Sequence, residues 1–409
     1  MTLPGEPPSA EHWRRHLPAG MAFTPADLLA AGTLVRAWTA HWADDPRRPL
    51  VHVAEGGWVD AGQLDARSRA VAGRLHGAGV RAGDRVLLSG SNSVDLVVAH
   101  VACLRLGAVV VPVNGAYRQR EVTHVVKDCA PRAAIVDDTR WHDWIREAAP
   151  KAVITTSRVE LPDATAPALD TAEPGDPAII GYTSGTTGAP KGAVLSHANV
   201  LASAASVQLA WRWEPQDRLV LCLPLFHMHG LGVGLHGSLL ANASIVLLDR
   251  FDVDLVLDAA RDYDATLFFG VPTMYHRLAA SDRASELARL RLCVSGSAPL
   301  PAVLHDMLDK KAGVRVLERY GMTETVMLVS NPYDGERRAG TVGFPLPGVE
   351  LRFRDGSHGE IEVRGPNVFS GYWNRPDVSD VCFTEDGWFR TGDLGEVDAD
   401  GYVRIVGRS

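Results

Sequence analysis

Two hydrophobic patterns divide this chain near residue 340. Before that point, short apolar runs alternate with predicted helices, as in the apolar runs 85–89, 108–113 and 133–137, the amphipathic stretch 61–75 and the helical stretch 94–106. Apolar runs bounded by turn residues are typical of strands buried on both faces, whereas amphipathic stretches indicate helices. The alternation therefore predicts an α/β fold in which helices cover both faces of parallel sheets.

After residue 340, polar and apolar residues alternate with period two. The segments 350–354, 359–364 and 402–406 show this alternation, and Gly-rich turns separate them. Such a pattern is typical of a small antiparallel sheet or barrel. The sequence thus predicts two αβαβα-type layered subdomains and a small antiparallel β-barrel. A loosely attached N-terminal arm is expected at 1–27 and the first α/β subdomain at 28–165. The second α/β subdomain, which carries a nucleotide loop, is expected at 166–339 and the barrel at 340–409.

A stretch rich in Gly, Ser and Thr, residues 182–192, follows the apolar run 177–180 and precedes a helix predicted to begin at Ser196. Glycines allow backbone N–H groups to approach an anion, while hydroxyls add donors and a lysine adds charge. The spacing of its last residues excludes a Walker A loop. We expect a strand–loop–helix junction that binds polyphosphate through Thr183, Ser184, Gly185, Thr186, Thr187, Gly188 and Lys191. The alternative, a flexible linker, requires neither the strand nor the lysine.

A second polar segment, 318–325, follows a predicted strand. Ligands of open α/β sheets bind at the carboxyl ends of the strands. Tyr320 offers a flat face for a base, Thr323 a hydroxyl for a phosphate, and Glu324 an oxygen ligand for Mg²⁺. A capped strand end with a solvated glutamate is the alternative interpretation.

A third segment, 388–395, places Asp393 in a predicted tight turn flanked by glycines. A carboxylate can accept two hydrogen bonds from a ribose diol. An aspartate that only stabilises its own turn is the alternative.

These three motifs, in this order, resemble those of the adenylate-forming superfamily, which includes acyl-CoA synthetases, luciferases and peptide-synthetase adenylation domains. The resemblance runs from about residue 50 to the C-terminus. It implies that Mg²⁺ is bound by Thr186 and Glu324 and that catalysis involves Lys191, Thr323, Glu324 and His227. Beyond the phosphate loop, it implies nucleotide binding by Gly296, Ser297, Ala298, Glu318, Arg319, Tyr320, Gly321, Met322, Thr323, Asp393 and Arg408.

Two further segments, 270–277 and 338–343, resemble those of malonyl-CoA synthetases. The resemblance implies that Arg277 holds the distal carboxylate of a dicarboxylic acid, and that His227 and Met322 lie beside the acyl group. Arg277 paired with a surface carboxylate and His227 as a core histidine are the alternatives. An aromatic acid is a further alternative, since Tyr275, Phe226 and Trp211 would line a wider pocket.

The implied function is ATP-dependent adenylation of a small carboxylic acid, such as malonate or methylmalonate, followed by transfer of the acyl group to coenzyme A. Another acceptor (a carrier-protein thiol, an amine or nitrite) and a nucleotide-binding module without turnover are the alternatives. In the superfamily a smaller C-terminal domain supplies a lysine to the reacting groups, and we expect these 409 residues to lack that domain. We therefore expect this chain to represent the large N-terminal domain and to be poorly active alone.

Composition and charge limit the partners and the cellular location that we expect for this protein. The 409 residues carry a net charge of −8, which gives no support for nucleic-acid binding. No apolar run reaches membrane-spanning length, and the first residues lack the apolar segment of a signal peptide. The five cysteines are scattered, which indicates reduced core residues. We expect a soluble cytoplasmic protein with no membrane partner.

Overall fold

The computed structural model describes residues 10–53, 56–183 and 189–409. The α-helices are α1 (Ala10–Trp13), α2 (Leu34–Asp44), α3 (Ala61–Gly77), α4 (Val94–Arg105), α5 (Gln119–Cys129), α6 (Arg140–Ala148), α7 (His197–Ala210), α8 (His236–Leu240), α9 (Val253–Asp262), α10 (Pro272–Ala280), α11 (Ala302–Ala312) and α12 (Pro376–Cys382). Short 3₁₀ helices span Pro25–Leu29 and Ala284–Arg289, and a π-helix spans His229–Leu235. The strands are β1 (Pro49–Val53), β2 (Gly57–Asp60), β3 (Arg85–Ser89), β4 (Val109–Pro112), β5 (Ala133–Val136), β6 (Val153–Thr155), β7 (Pro177–Thr183), β8 (Lys191–Ser196), β9 (Arg218–Leu221), β10 (Ser244–Leu247), β11 (Leu267–Gly270), β12 (Leu292–Ser295), β13 (Leu317–Tyr320), β14 (Val329–Ser330), β15 (Phe344–Pro345), β16 (Glu350–Phe353), β17 (His358–Arg364), β18 (Phe389–Val397) and β19 (Val403–Arg408).

The first sheet has the order β6-β5-β3-β4-β7-β8 and is parallel except for the antiparallel pair β7–β8. The predicted loop therefore joins two strands of a hairpin, and the expected direct step from loop to helix is wrong. Residues 191–196 form a strand because Ala193 and Leu195 point into the core while the backbone pairs with β7. The following helix, α7, begins as predicted, with Ser196 and Asn199 forming a capping box.

The second sheet has the order β15-β14-β13-β12-β11-β9-β10-β1-β2. Its central strands from β13 to β1 are parallel, and antiparallel pairs close both edges. The structure therefore confirms the predicted α/β fold with parallel sheets. Sheet membership departs from the predicted boundary at residue 165, because β1 and β2 join the second sheet and β7 and β8 join the first. Apolar runs identify strands but do not encode which sheet each strand completes.

The third sheet is antiparallel, with the order β16-β17-β18-β19. The three predicted strands of this region are confirmed, and β18 is added between them. Across the described residues no pairing joins β16 to β19, so these strands form a sheet rather than a closed barrel.

The described part of the N-terminal arm is packed against the C-terminal third of the chain. Trp13 is buried, and its Nε1 donates a hydrogen bond of 2.8 Å to the Val349 carbonyl. His16 is also buried, with Nε2 3.1 Å from the Phe344 carbonyl. The expectation of a loosely attached arm is wrong for these residues, because their rings contribute buried apolar area that a proline-rich composition does not reveal.

The cysteine prediction is confirmed by the structure. Five free thiols are found, of which four are buried and that of Cys382 is half-buried. Burial raises the pKa of Cys103 and of Cys293 to about 12, so both remain protonated. No helix among the described residues is long and apolar enough to cross a membrane.

Two histidines meet in the core between α4 and α8. His100 Nε2 lies 2.8 Å from His236 Nε2, and both side chains are buried. Burial lowers the pKa of His100 to about 3, and burial followed by the neighbouring His100 lowers the pKa of His236 well below its usual range. Because the unfolded chain binds these protons first, stability is full above the unfolded pKa and is lost as pH falls below it.

We therefore expect the free energy of unfolding to decrease below about pH 6.5, by up to about 1.4 kcal/mol per pH unit for each such histidine. Urea unfolding between about pH 7.5 and pH 5.5 measures this slope. The double variant His100→Gln/His236→Gln should have a shallower slope, whereas His358→Gln, at an exposed position, should keep it. Equal slopes in all three proteins would contradict the assignment.

Candidate functional site

A cavity of about 820 Å³ lies where strands of all three sheets end. The carboxyl end of β4, the β7–β8 hairpin, the end of β13 and strand β18 all contribute to its wall. This is the position at which open α/β sheets bind ligands. Of the residues predicted from sequence, the cavity is lined by Thr183, Lys191, His227, Ser297, Arg319, Gly321, Met322, Thr323, Glu324 and Arg408. Ser184, Gly185, Thr186, Thr187 and Gly188 lie outside the described residues.

Asp393 is held between two partners, of which Arg408 lines the cavity. Its Oδ1 lies 2.9 Å from Arg408 Nε, and its Oδ2 accepts a hydrogen bond of 2.5 Å from the Tyr320 hydroxyl. Its backbone N–H donates to Thr391 Oγ1 at 3.1 Å. The expected tight turn is wrong, because Asp393 lies within β18 and pairs with Arg408 of β19. The structure nevertheless brings together these three residues, which lie far apart in sequence.

Glu324 and Lys191 flank Tyr372 in the wall of the cavity. The Tyr372 hydroxyl donates a hydrogen bond of 2.8 Å to Glu324 Oε1, and Lys191 Nζ lies 5.6 Å from the centre of the Tyr372 ring. Burial raises the pKa of Glu324, which Tyr372 opposes by hydrogen bonding to the carboxylate. Sequence reasoning missed Tyr372, because its distance along the chain gives no sign of this contact.

The carboxylate of Glu324 fits a magnesium ligand. Mg²⁺ is usually bound by one or two carboxylates together with substrate phosphates and water. In the described part of the chain no group of three or more His, Cys, Asp or Glu side chains is placed to hold a metal ion by itself. A single carboxylate on the same tyrosine as Lys191, next to the stem of the β7–β8 hairpin, suits a metal that arrives with a polyphosphate.

Thr323 packs directly against the hairpin. A Cβ at Gly181 would lie 2.4 Å from Thr323 Cγ2, so only glycine at position 181 leaves room for this threonine. The close contact joins the end of β13 to β7, and with it the second sheet to the first. Thr323 thus lies where a phosphate held by the hairpin would be within reach of its hydroxyl.

Arg277 is not part of the cavity. Its side chain is exposed on α10, with the guanidinium 5.0 Å from the centre of the Phe251 ring. The prediction that it lies in an apolar acyl pocket is therefore corrected. The apolar residues around it in sequence belong to the opposite face of α10, where Tyr275 and Leu278 are buried.

Two aromatic residues proposed for a wider pocket also lie elsewhere. The Tyr275 hydroxyl donates to the carbonyl oxygen of Val294 at 2.9 Å, and Trp211 Nε1 donates to Ser330 Oγ at 2.9 Å. Both rings are buried in the core. Only Phe226 of the three suggested aromatic residues lines the cavity.

Glu318 likewise points away from the cavity. Its Oε1 accepts a hydrogen bond of 2.8 Å from the Leu300 N–H, and burial raises its pKa to about 7. Glu318 thus supports the loop that follows β12. The prediction that it contacts nucleotide is corrected accordingly, because alternate side chains of a strand face opposite ways.

The neighbouring residue, Arg319, faces into the cavity. Its side chain is buried, and among the residues that the structure describes its Nε and Nη2 atoms have no hydrogen-bond partner. Burial lowers its pKa to about 9, so the guanidinium remains charged at neutral pH. A buried cation without a counter-ion is unfavourable unless an anion binds beside it. The sequence motif assigned Arg319 to the nucleotide. The burial of its side chain in the folded protein indicates instead that it binds a different anion.

Two histidines and a serine surround Arg319. Desolvation, followed by the charge of Arg319, lowers the pKa of both His227 and His229, so neutral imidazoles face the guanidinium. His229 Nδ1 lies 3.4 Å from Ser297 Oγ. A Cβ at Gly296 would lie 2.3 Å from Arg319 Nε. Glycine at 296 therefore leaves the space that the guanidinium occupies.

Comparison with known proteins shows which family of proteins this chain is similar to. A family model described as AMP-binding enzyme matches residues 38–373. A malonate–CoA ligase from Arabidopsis thaliana is 36% identical over 378 aligned residues, covering 82% of this chain and 61% of that protein. A feruloyl-CoA synthase from an Amycolatopsis species is 35% identical over 366 residues, covering 85% of this chain and 72% of that protein.

A solved structure, described as a malonyl-CoA ligase ternary product complex with methylmalonyl-CoA and AMP bound, superposes with a TM-score of 0.78. It is 42% identical in sequence, and the match covers 89% of this chain and 78% of that chain. This chain spans about three fifths of the length of the Arabidopsis relative, as the 61% coverage indicates.

Proposed function

Because this chain belongs to the family of AMP-binding enzymes, we propose that it binds ATP and activates a small dicarboxylic acid as its acyl-adenylate, for transfer to coenzyme A. The observation that carries the choice of acid is Arg319, a buried guanidinium in the cavity wall with two nitrogens that have no partner within the described part of the chain. A carboxylate distal to the reacting one would satisfy this charge. The names of the malonate- and methylmalonyl-handling relatives agree with such an acid.

Each part of the cavity suits one part of the substrates. Asp393, with Tyr320 and Arg408, offers acceptors and a donor to the ribose. Lys191 and the hydroxyl of Thr323 lie where the phosphates of ATP would be held by the hairpin. Mg²⁺, when bound beside Glu324, neutralises phosphate charge.

The first step joins the acid to AMP. A carboxylate oxygen of the acid attacks the α-phosphorus of ATP, a new P–O bond forms, and the bond to pyrophosphate breaks. The residues of the cavity orient the acid and ATP and supply cationic charge. Such charge is needed because the carboxylate and the ATP phosphates are both anionic and must approach one another. In the second step the thiol of coenzyme A attacks the acyl carbonyl, loses its proton and expels AMP.

The residues that line the cavity also bear on which acid it accepts. Arg319, Ser297 and His229 form its polar end, and Met322, Val326 and Phe226 supply apolar surface. Phe226 and the feruloyl-CoA synthase relative favour an aromatic acid as a second candidate. An aromatic acid without a second carboxylate would leave the buried charge of Arg319 unpaired, which makes it the less favourable ligand.

A substrate panel tests the proposal. Pyrophosphate exchange with ATP is measured in the presence of malonate, methylmalonate, acetate, propionate and an aromatic acid such as ferulate. We expect the short dicarboxylates to give the highest kcat/KM, by about tenfold or more over acetate, because only they pair with a buried cation. Preferred turnover of acetate or ferulate would contradict the choice of acid, and absence of exchange with every acid would contradict adenylation. Product analysis with coenzyme A then separates this acceptor from amines and carrier proteins.

A further inference from the structure

The hairpin that carries the predicted phosphate loop has a narrow stem. Thr183 at the end of β7 is in register with Lys191 at the start of β8, and the preceding pair is Tyr182 with Gly192. A Cβ at Gly192 would lie 3.2 Å from Cζ of Tyr182, so the tyrosine ring packs closely over the partner strand. Any displacement of Tyr182 would therefore shift Lys191 as well.

Helix α5 contacts both sides of this stem. The Tyr182 hydroxyl, on the strand that enters the loop, donates a hydrogen bond of 2.5 Å to Asp128 Oδ2. On the side that leaves the loop, the Pro190 carbonyl oxygen lies 2.8 Å from His124 Nε2. Because residues four apart share one face of a helix, His124 and Asp128 act from the same side of α5. Hydrogen bonds to an ionised carboxylate are stronger than those between neutral groups, which makes Asp128 the firmer of the two contacts.

The backbone of Asp128 anchors a third segment. Its carbonyl oxygen accepts hydrogen bonds from Trp373 Nε1 at 3.2 Å and from Asn374 Nδ2 at 3.0 Å. The backbone N–H of Trp373 in turn donates a hydrogen bond of 2.7 Å to the Gly192 carbonyl oxygen, which fixes this segment to β8. Three pieces of chain that are remote in sequence thus meet at one residue.

That third segment continues directly into the site. Tyr372, next to Trp373, donates its hydroxyl to Glu324 and lies beneath the Lys191 ammonium. The end of α5 is therefore connected by two routes to Lys191, once through the stem of the hairpin and once through Tyr372. Neither route passes through Asp393 or Arg408.

We propose that Asp128, assisted by His124, is a positioning residue that sets the phosphate hairpin and Lys191 for the β- and γ-phosphates of ATP. This inference rests on the proposed binding of ATP. Asp128 touches no substrate, and it acts through Tyr182 and Lys191. Because its contacts lead to Lys191 and not to Asp393 or Arg408, we expect removal of its carboxylate to weaken polyphosphate binding more than ribose binding.

Calorimetry with ATP–Mg²⁺ and with AMP separates these contributions. Asp128→Ala is expected to weaken ATP binding by about tenfold, since misplacement of a binding group by about 1 Å has effects of this order or larger, and to change AMP binding by less than about twofold. Asp128→Asn keeps an acceptor for the Tyr182 hydroxyl and should recover most of the affinity. Tyr182→Phe removes the same hydrogen bond from the other side and should reproduce the loss. Asp143→Ala, at an exposed carboxylate on α6, is the control.

Several outcomes would overturn the inference. Unchanged ATP affinity in both Asp128→Ala and Tyr182→Phe would do so. Equal losses for ATP and AMP, accompanied by a lower melting temperature, would assign Asp128 a structural role only. If the unaltered chain binds AMP but no ATP, the proposed function and this inference fail together, whereas normal ATP binding with unaffected variants removes the inference alone.

Discussion

Replacing Arg319 by methionine is expected to lower kcat/KM for malonate by about a hundredfold or more, while that for acetate or propionate changes little. Loss of one partner of a desolvated charge pair costs about 2–5 kcal/mol, and each 1.4 kcal/mol is about tenfold in rate or affinity. Methionine keeps much of the volume of the arginine stem, so the cavity should retain its shape. Pyrophosphate exchange with each acid provides the measurement.

Arg277→Met is the matched control for this experiment. Arg277 is exposed and lies over Phe251 outside the cavity, so its replacement should leave the preference for malonate unaltered. Gly296→Ala offers a second approach that keeps every charge, since the added Cβ would meet Arg319 Nε at 2.3 Å. It should reduce turnover of malonate more than that of acetate. A malonate preference that survives Arg319→Met and disappears with Arg277→Met would reverse the two assignments.

Asp393→Ala is expected to weaken binding of AMP by about ten- to a hundredfold. Hydrogen bonds to a charged group contribute about 1.5–3 kcal/mol each, and the carboxylate offers two oxygens to the ribose. Its removal also releases the contacts that Asp393 makes with the Tyr320 hydroxyl and with Arg408 Nε. Isothermal calorimetry of AMP binding to this chain measures the loss.

A change in the ligand provides a control for the assignment of Asp393 to the ribose. An AMP analogue lacking both ribose hydroxyls should bind weakly to the unaltered chain and equally weakly to Asp393→Ala, because the interaction is already absent. Asp386→Ala, at an exposed carboxylate paired with Arg352, should bind AMP normally. If Asp393→Ala discriminates between AMP and the analogue as strongly as the unaltered chain, Asp393 does not contact the ribose.

Local patterns determined much of this protein. The apolar runs identified β3, β4 and β5, because strands buried on both faces need continuous apolar sequence. The family motifs indicated Lys191, Thr323 and Glu324, which the fold brings to one cavity. These are features in which residue type, spacing and local conformation all agree.

Tertiary packing decided what local patterns leave open. The hairpin at 191–196 and the strand containing Asp393 depend on pairing with distant strands, as does the exchange of β1–β2 and β7–β8 between the two sheets. A pattern of apolar and polar residues specifies the face that a strand buries but not its neighbour.

The two arginines give the clearest contrast. Arg277 stands in an apolar segment yet faces solvent, whereas Arg319 stands beside polar residues yet is buried and unpartnered in the cavity. The sequence determined that an adenylate-forming site and a cation near the acid were present. Which arginine supplies that cation was decided only by the packing of β13 and α10, since burial, and with it the need for a counter-ion, is a property of the folded chain.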